Sequence, residues 1–146
     1  MTIYFQKLQE HAQIPLRATP KSAGVDLRAC LDAPVEIQPG ETVMIPLGIA
    51  AQPSEPDVVM LIFPRSGLAS VHGITLANSV GVVDSDYRGE WKVPLHNTAQ
   101  EPFTVEHGMR IAQLVVMPVL FPEIAETDIL DATERGTAGF GSSGLQ

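Results

Sequence analysis

Short apolar runs, separated by proline and glycine, recur along the whole chain. Residues 58–63 (VVMLIF) and 111–121 (IAQLVVMPVLF) are dense in β-branched and other apolar residues, so each run predicts a strand. Residues 89–97 (GEWKVPLHN) alternate instead, which puts every second residue from Trp91 to Leu95 on one apolar face. Many short strands at regular spacing are typical of an all-β sandwich, barrel or jelly roll.

Proline, glycine and acidic residues predict where the strands end. Pro46 and Gly48 indicate a bend or an edge in an otherwise strand-like run. Residues 38–41 (QPGE) and 106–109 (EHGM) predict turns, and residues 86–90 (DYRGE) predict the tip of a hairpin.

Helical character is confined to residues 65–73 (RSGLASVHG), where Gly73 is positioned to end the helix. The chain has 146 residues, which favours one domain. From about Asp131 the chain becomes polar and glycine-rich, which is typical of a mobile tail. We therefore expect a domain at 1–130 and a C-terminal arm at 131–146.

The balance of charge narrows the set of partners. The formal net charge is -8, whereas proteins that bind nucleic acid or anionic membranes usually carry a basic surface, so neither is expected as a partner. Cys30 is the single cysteine, so it forms no internal disulfide and is expected to be a small buried apolar residue. The N-terminus resembles no signal peptide and no run has the length of a membrane span, so a reducing, cytoplasmic compartment is expected.

Two segments place charged or hydroxyl groups beside apolar strands. Asp26 lies inside an apolar stretch (AGVDL), where a carboxylate must be paired, hydrogen-bonded or functional unless it faces solvent on the polar side of the strand. Arg65 and Ser66 stand where a strand ends and the short helix begins, an arrangement that suits an anion, although Ser66 could equally serve as an N-cap.

Two further segments carry candidate chemistry. Asp84 and Asp86 follow an apolar run, so one is a candidate general base, while turn formation is the alternative. Arg110 and Gln113 interrupt a core strand and need partners, either in a site or in a structural pair with Asp84 or Asp26.

The spacing of residues indicates neither a zinc site nor a phosphate-binding glycine loop. The four histidines show no H-E-x-x-H or comparable spacing, so the sequence indicates no zinc site. The glycines near the C-terminus fit G-x-G-x-x-G, but only Leu145 and Gln146 follow them here, so the helix of that fingerprint is not expected, and the lysine of a P-loop is missing.

Five segments together resemble one family. In chain order, SAGVDLRA, PRSGLAS, GVVDSDYRGEW, RIAQLVV and RGTAGFGSSG resemble the five motifs of the trimeric dUTP pyrophosphatases (dUTPases), and they span residues 22–144. The resemblance implies a distorted jelly-roll β-barrel that hydrolyses dUTP to dUMP and pyrophosphate with Mg²⁺. It also implies a homotrimer whose three sites are each shared between subunits, with the C-terminal arm of one chain closing over a site formed mainly by the other two.

The resemblance also assigns roles around the triphosphate. Asp84 matches the general base that deprotonates the attacking water, Gln113 matches a residue near that water and the phosphates, and Arg110 matches a partner that orients the acidic residues. Asp26 matches an acid that meets the metal through water. The phosphate-contacting positions of the second motif match Arg65, Ser66 and Gly67.

The nucleoside and the arm are matched in the same way. Tyr87 matches the ring that packs against the deoxyribose, and the uracil-reading positions match Asn78, Gly81 and Val83. The closing arm matches Arg135, Phe140, Gly141, Ser142 and Ser143. The family more often has glycine where Ala138 stands and threonine where Ser143 stands, which bears on the closed geometry of the arm.

Two other functions fit the same scaffold. A dCTP deaminase or a bifunctional relative would share the fold, but the whole third motif and the glycine-rich arm argue against one. A non-enzymatic trimeric binding module is the other alternative, and intact Asp84 and Tyr87 argue against it.

Overall fold

The computed structural model describes residues 1–139, which form eleven β-strands and one short α-helix. In chain order the strands are β1 (Ile3–Lys7), β2 (Val25–Arg28), β3 (Val35–Ile37), β4 (Thr42–Pro46), β5 (Ile49–Pro53), β6 (Val58–Pro64), β7 (Ile74–Leu76), β8 (Gly81–Val83), β9 (Lys92–Asn97), β10 (Phe103–Val105) and β11 (Arg110–Pro118). Helix α1, Ser66–His72, lies between β6 and β7. The expected all-β class with one short helix is confirmed.

The strands form four antiparallel sheets that close around one core. The largest has the order β2-β11-β6-β8, and a second has the order β4-β9-β7. Two pairs, β1-β5 and β3-β10, complete the set. The core draws buried side chains from all four sheets, among them Leu27, Met60, Leu95 and Val105. Full burial of each such side chain contributes about 1.5–3 kcal/mol.

The alternating pattern at the start of β9 is confirmed. Trp91 is 2% exposed, and Val93 and Leu95 are fully buried, while Lys92 between them faces solvent. Asn97, at the end of the same strand, is buried among apolar side chains. Its amide nitrogen donates to the carbonyls of Ile37 (2.9 Å) and Glu101 (2.8 Å), so its burial leaves that nitrogen satisfied.

The hairpin predicted at residues 86–90 is wrong. Strands β8 and β9 on its two sides belong to different sheets, so the segment crosses from one sheet to the other. The turn itself exists, since the Tyr87 N–H donates to the Asp84 carbonyl at 3.2 Å. Asp and Gly favour a turn locally, but they do not specify which strands pair on either side of it.

Two further local expectations are confirmed, whereas the strand predicted over 111–121 ends at Pro118. Gly73 has the left-handed φ of 66° and its N–H caps α1 at the Leu68 carbonyl. Gly48, with φ of 64°, divides the run at 42–53 into β4 and β5, which belong to different sheets. A Cβ at Gly48 would lie 2.6 Å from Sγ of Cys30, so the glycine also admits the buried thiol. Burial raises the pKa of Cys30, and the nearby carboxylates of Glu90 and Asp32 raise it further.

Residues 119–139 lie outside the strands and carry exposed apolar side chains. The last strand ends at Pro118, and beyond it Leu120, Ile124 and Ile129 are each more than 80% exposed. Within the described residues, no helix is long and apolar enough to cross a membrane. The division into a domain at 1–130 and an arm at 131–146 stays a prediction.

Candidate functional site

Asp26 lies between two arginine side chains. Strand β2 carries it directly beside β11, and its carboxylate is only 16% exposed. Arg65 donates from Nε to Oδ1 at 2.9 Å, and Arg110 donates from a terminal nitrogen to Oδ2 at 3.2 Å. Of the two partners that the sequence left open for Arg110, the structure therefore selects Asp26. Two cations face one anion, so the cluster keeps one positive charge in excess.

Gln113 lies opposite Asp26 in the β2–β11 ladder. Its side-chain nitrogen donates to the Pro64 carbonyl at 2.9 Å, which fixes the amide against the end of β6. Gly24 makes room for it, because a Cβ on Gly24 would collide with Oε1 of Gln113. The amide oxygen therefore lies beside the backbone that precedes Asp26.

Ser66 completes this group at the start of α1. The structure assigns the N-cap position to Arg65, without a side-chain hydrogen bond at the cap, so Ser66 is not the N-cap. Both residues line a cleft of about 320 Å³, which we call the Arg65 cleft. Among residues 1–139, its lining is Ala18, Ser22, Ala23, Gly24, Asp26, Arg65, Ser66, Arg110 and Gln113. Five residues that the sequence singled out thus meet at one place, while Gly67 follows Ser66 in the helix.

One residue that positions this cleft was missed. The guanidinium of Arg17 donates to the carbonyls of Ser22 and Ala23, which holds the loop on the near side of the cleft. The sequence offered only an isolated arginine, which reads equally as solvated surface. Its partners are backbone carbonyls, which every residue type has, so the residue types at 22 and 23 could not indicate this contact.

Asp84 lies in a different place. It follows the end of β8, is exposed, and lines a second cleft of about 550 Å³ together with Val82, Asp86 and Phe121. Asp86 is also exposed and lies in the turn. The structure therefore leaves both acids open to solvent.

Tyr87 and Val83 line a third cleft, of about 380 Å³, with Ile62 and Trp91 among its walls. The tyrosine hydroxyl donates to the Glu90 carbonyl at 3.2 Å. Its ring lies against the backbone of the same turn, since a Cβ at Gly89 would collide with it. The indole nitrogen of Trp91 is buried and has no hydrogen-bond partner among residues 1–139.

Asn78 and Gly81 lie together beside β6. Asn78 is exposed in the turn between β7 and β8, where the next residue, Ser79, has a positive φ of 62°. A Cβ at Gly81 would lie 3.2 Å from Cβ of Ile62 and 3.5 Å from the side-chain nitrogen of Asn78. Glycine at this position therefore lets the backbone of β8 and the Asn78 amide approach closely.

The sheet separates Asp84 from Asp26 within one chain. The order β2-β11-β6-β8 puts three strand spacings, about 14 Å, between them. Asp26 lies at the level of Phe63, whereas Asp84 lies one residue beyond the Val83–Met60 pair, which adds about 13 Å along the strands. The two residues are therefore roughly 20 Å apart.

Arg135 is the one predicted arm residue that the structure describes. It is exposed, and its Nε donates to the Ala138 carbonyl at 2.9 Å. The predictions for Phe140, Gly141, Ser142 and Ser143 lie outside the described residues. The structure therefore leaves the arm assignments as predictions.

Comparison with known proteins gives the family. The dUTPase family profile matches residues 10–144. The deoxyuridine 5'-triphosphate nucleotidohydrolase of Serratia proteamaculans is 50% identical over 131 residues, which cover 90% of this chain and 86% of the relative. The enzyme of the same name from Shewanella halifaxensis is 52% identical over 133 residues, covering 91% and 88%.

Solved structures give the same result for the fold. A mutant dUTPase of Staphylococcus bacteriophage 80alpha with dUpNHpp is 26% identical, has a TM-score of 0.88, and is covered to 99% in both chains. A mutant dUTPase from phage phi11 of S. aureus, which coordinates a structural Mg(II) ion, is 22% identical with a TM-score of 0.80 and shares the fold, covering 90% of this chain and all of that one. The expected distorted jelly-roll β-barrel is confirmed. With this fold, and with half of its aligned residues identical to those of an enzyme named for dUTP hydrolysis, the chain belongs to the dUTPase family, the dUTP diphosphatases.

Proposed function

We propose that this chain hydrolyses dUTP to dUMP and pyrophosphate as a homotrimer, in sites that join Asp84 of one subunit to the Arg65 cleft of another. The observation that carries the proposal is the separation of roughly 20 Å between Asp84 and Asp26 within one chain. A general base must reach its proton directly or through one water. A second copy of the chain can place its Arg65 cleft beside Asp84 of the first. A closed three-fold ring repeats this arrangement at each of three sites.

The exposed apolar side chains support assembly. Val82 is 64% exposed and Phe121 is 70% exposed, and both line the cleft that contains Asp84. Leu120 and Ile124 follow on the extended segment beyond β11. Apolar side chains concentrated in this way are typical of a surface that another chain covers. Packing of a neighbouring subunit there would bring its polar cleft towards Asp84.

The Arg65 cleft has the chemistry to hold a triphosphate. Two guanidinium groups face one carboxylate, so a local positive charge remains although the chain as a whole is acidic. Arginine presents several N–H donors in a planar fork that matches phosphate oxygens. Asp26 accepts from one nitrogen of each arginine, which leaves further donors on both guanidinium groups for substrate. The hydroxyl of Ser66 adds a donor at the same wall.

The reaction step assigns one proton and one leaving group. Asp84 takes a proton from a water molecule while the oxygen of that water bonds to the α-phosphorus. The bond from the α-phosphorus to the oxygen that bridges it to the β-phosphorus breaks. Pyrophosphate leaves with that oxygen, and dUMP keeps the new one. Gln113, held by the Pro64 carbonyl, presents its amide oxygen near the phosphates as an acceptor for the water. Positioning and charge neutralisation dominate catalysis of this reaction class.

Mg²⁺ fits the donor set through water. Each oxygen of Asp26 already accepts from an arginine, and the remaining lone pairs can accept from metal-bound water without disturbing either ion pair. Mg²⁺ dehydrates reluctantly and is often held by substrate phosphates and waters with few protein carboxylates. When bound, it would neutralise charge on the triphosphate.

The nucleoside is read by the segment from Asn78 to Tyr87. The Tyr87 ring would pack against the deoxyribose and leave no room for a 2′-hydroxyl. Gly81 and Val83 would present backbone groups to uracil, where a 5-methyl group would collide with the strand. The absence of a side chain at Gly81 lets strand β8 lie close to Ile62 and to the Asn78 amide, which keeps these base-reading groups together. Arg135 and the arm residues that follow would close over the bound nucleotide and exclude water.

The test is pyrophosphate release from dUTP, dTTP, dCTP and UTP in the presence of Mg²⁺, repeated with a chelator. We expect turnover of dUTP alone, and its loss when the metal is removed. Release of ammonia from dCTP would show a deaminase instead. Binding of dUTP without release of pyrophosphate would show a binding module.

A further inference from the structure

We propose that His11, Cys30 and His107 form a binding site for a divalent transition metal of the zinc class. One ligand atom from each of these residues lies within 4.8 Å of the others. Zinc prefers cysteine sulfur and histidine nitrogen, whereas Mg²⁺ prefers oxygen. The site is therefore chemically distinct from the Arg65 cleft, and the two share none of the residues that the structure describes.

A tetrahedral zinc site needs its ligand atoms closer together than the present limit of 4.8 Å. Two nitrogen or oxygen ligands at about 2.0–2.1 Å from zinc lie about 3.3–3.4 Å apart, and a sulfur and a nitrogen ligand about 3.6 Å apart. Asp32 approaches this value, with Oδ1 lying 3.5 Å from Nε2 of His11. The rings of His11 and His107 are inclined at 64° to each other, with centroids 5.1 Å apart. Shifts of about 1 Å in the two exposed histidines would bring the three ligand atoms to these separations. Asp32 contacts His11 but lies outside the three-residue group, so it would have to move as well to serve as the fourth ligand.

The surroundings favour a cation. Cys30, Asp32 and Glu90 line one cleft of about 250 Å³, in which Lys92 lies 3.5 Å from Glu90 and offsets part of that charge. Cys30 is 6% exposed and its backbone N–H donates to the Pro46 carbonyl at 2.9 Å, so the thiol is held in place from behind. A bound divalent metal displaces the proton of the Cys30 thiol. The buried thiolate is then paired with the metal cation and is not an isolated charge.

The ligands belong to three segments that are distant in sequence. His11 follows β1, Cys30 follows β2, and His107 lies in the turn before β11. The backbones of the last two segments already meet, because Ala29 accepts from Gly108 at 2.9 Å. The Leu31 N–H lies 3.3 Å from Nδ1 of His107, a weak contact that ligation through this nitrogen would replace. A metal would thus clip the end of the β2–β11 ladder to the N-terminal loop.

The proposed site departs from the expectation that the sequence indicates no zinc site. That expectation rested on spacing within short motifs, and these ligands follow no such motif. Each residue also has an ordinary alternative, since two exposed histidines can stack and a buried cysteine can simply fill space. Only their convergence points to a metal.

The test is zinc titration of the full-length protein by calorimetry, without nucleotide and with excess Mg²⁺ to occupy oxygen sites. We expect one zinc per chain. His11→Gln and His107→Gln should each weaken binding by at least about 100-fold, because even outer partners of metal ligands contribute about 10- to 100-fold. His72→Gln is the matched control, because His72 is also exposed and packs on an aromatic ring, that of Phe103, but lies outside the cluster. It should bind zinc like the parent.

Two further readouts identify the ligands and the effect. Cobalt should give a thiolate charge-transfer band that Cys30→Ala removes. If Cys30→Ala fails to fold, the two histidine variants still test the site, because each should weaken metal binding. Zinc at about 100 times its Kd should raise the Tm by about 5–10 °C. Zinc binding that survives both histidine substitutions, a cobalt spectrum without the thiolate band, or the lack of any stoichiometric binding would each overturn the proposal.

Discussion

Replacing Asp26 with asparagine removes the single negative charge that lies between Arg65 and Arg110. The Arg65 contact dominates, because its 2.9 Å hydrogen bond joins side chains that are 27% and 16% exposed. A charge-assisted hydrogen bond of this kind contributes about 1.5–3 kcal/mol. The Arg110 contact is longer, at 3.2 Å, and Arg110 is 46% exposed, so solvent reduces it to at most about 1 kcal/mol.

Asparagine retains one oxygen acceptor, so part of the Arg65 contact survives as a neutral hydrogen bond. We therefore expect Asp26→Asn to lower the free energy of unfolding by about 2 kcal/mol, or the Tm by about 4–8 °C. Thermal unfolding at equal chain concentration measures this, because the proposed assembly would make the Tm depend on concentration. Asp57→Asn, at an exposed carboxylate outside the Arg65 cleft, is the matched control and should change little.

The same variant should lose activity, since Arg65 and Arg110 are no longer oriented by a shared anion. We expect kcat/KM for dUTP to fall by at least about tenfold, the effect of about 1.4 kcal/mol of lost transition-state binding. The control should change the Tm by about 1–2 °C at most. If Asp26→Asn changes the Tm by no more than this and leaves kcat/KM unchanged, the ion pair does not organise the cleft.

Three other changes test separate parts of the site. Asp84→Asn should fold and bind dUTP but lose nearly all turnover, and a near-parental kcat in a pyrophosphate assay would exclude Asp84 as the base. Ending the chain before Arg135 should leave the trimer intact in sedimentation while kcat falls, whereas full activity would remove any role for the arm. Tyr87→Ala should raise UTP hydrolysis relative to dUTP, and unchanged discrimination between the two nucleotides would count against packing of the ring on the sugar.

Local features of the fold could be predicted because each depends on neighbouring residues. The alternation from Trp91 to Leu95 defines a buried face, and Gly73 ends a helix through its own left-handed backbone. The hairpin at 86–90 could not be predicted correctly, because strand pairing is a non-local property. Strands as short as β3 and β10, of three residues each, carry too few positions for a pattern to emerge.

In the site, as in the fold, features that depend on neighbouring residues could be predicted, whereas features that depend on strand pairing could not. The sequence indicated that a carboxylate within an apolar strand needs a partner, and Asp26 has two. It could not choose between Asp26 and Asp84 as the partner of Arg110, because that choice depends on β11 lying beside β2. The five motifs supplied the roles of these residues through resemblance alone, since no short-range pattern distinguishes a base from a turn aspartate.

Mixed trimers test the central claim most directly. Chains carrying Asp84→Asn and chains carrying Arg65→Ala are each expected to be inactive alone, and they are unfolded together in equal amounts and refolded. If each site takes Asp84 from one subunit and the Arg65 cleft from another, random assembly restores both residues in about a quarter of the sites. We therefore predict recovery of about 25% of the parental rate of dUTP hydrolysis per chain. Activity that stays at the level of the separate variants would show that both residues serve a site within one chain, and would contradict the account.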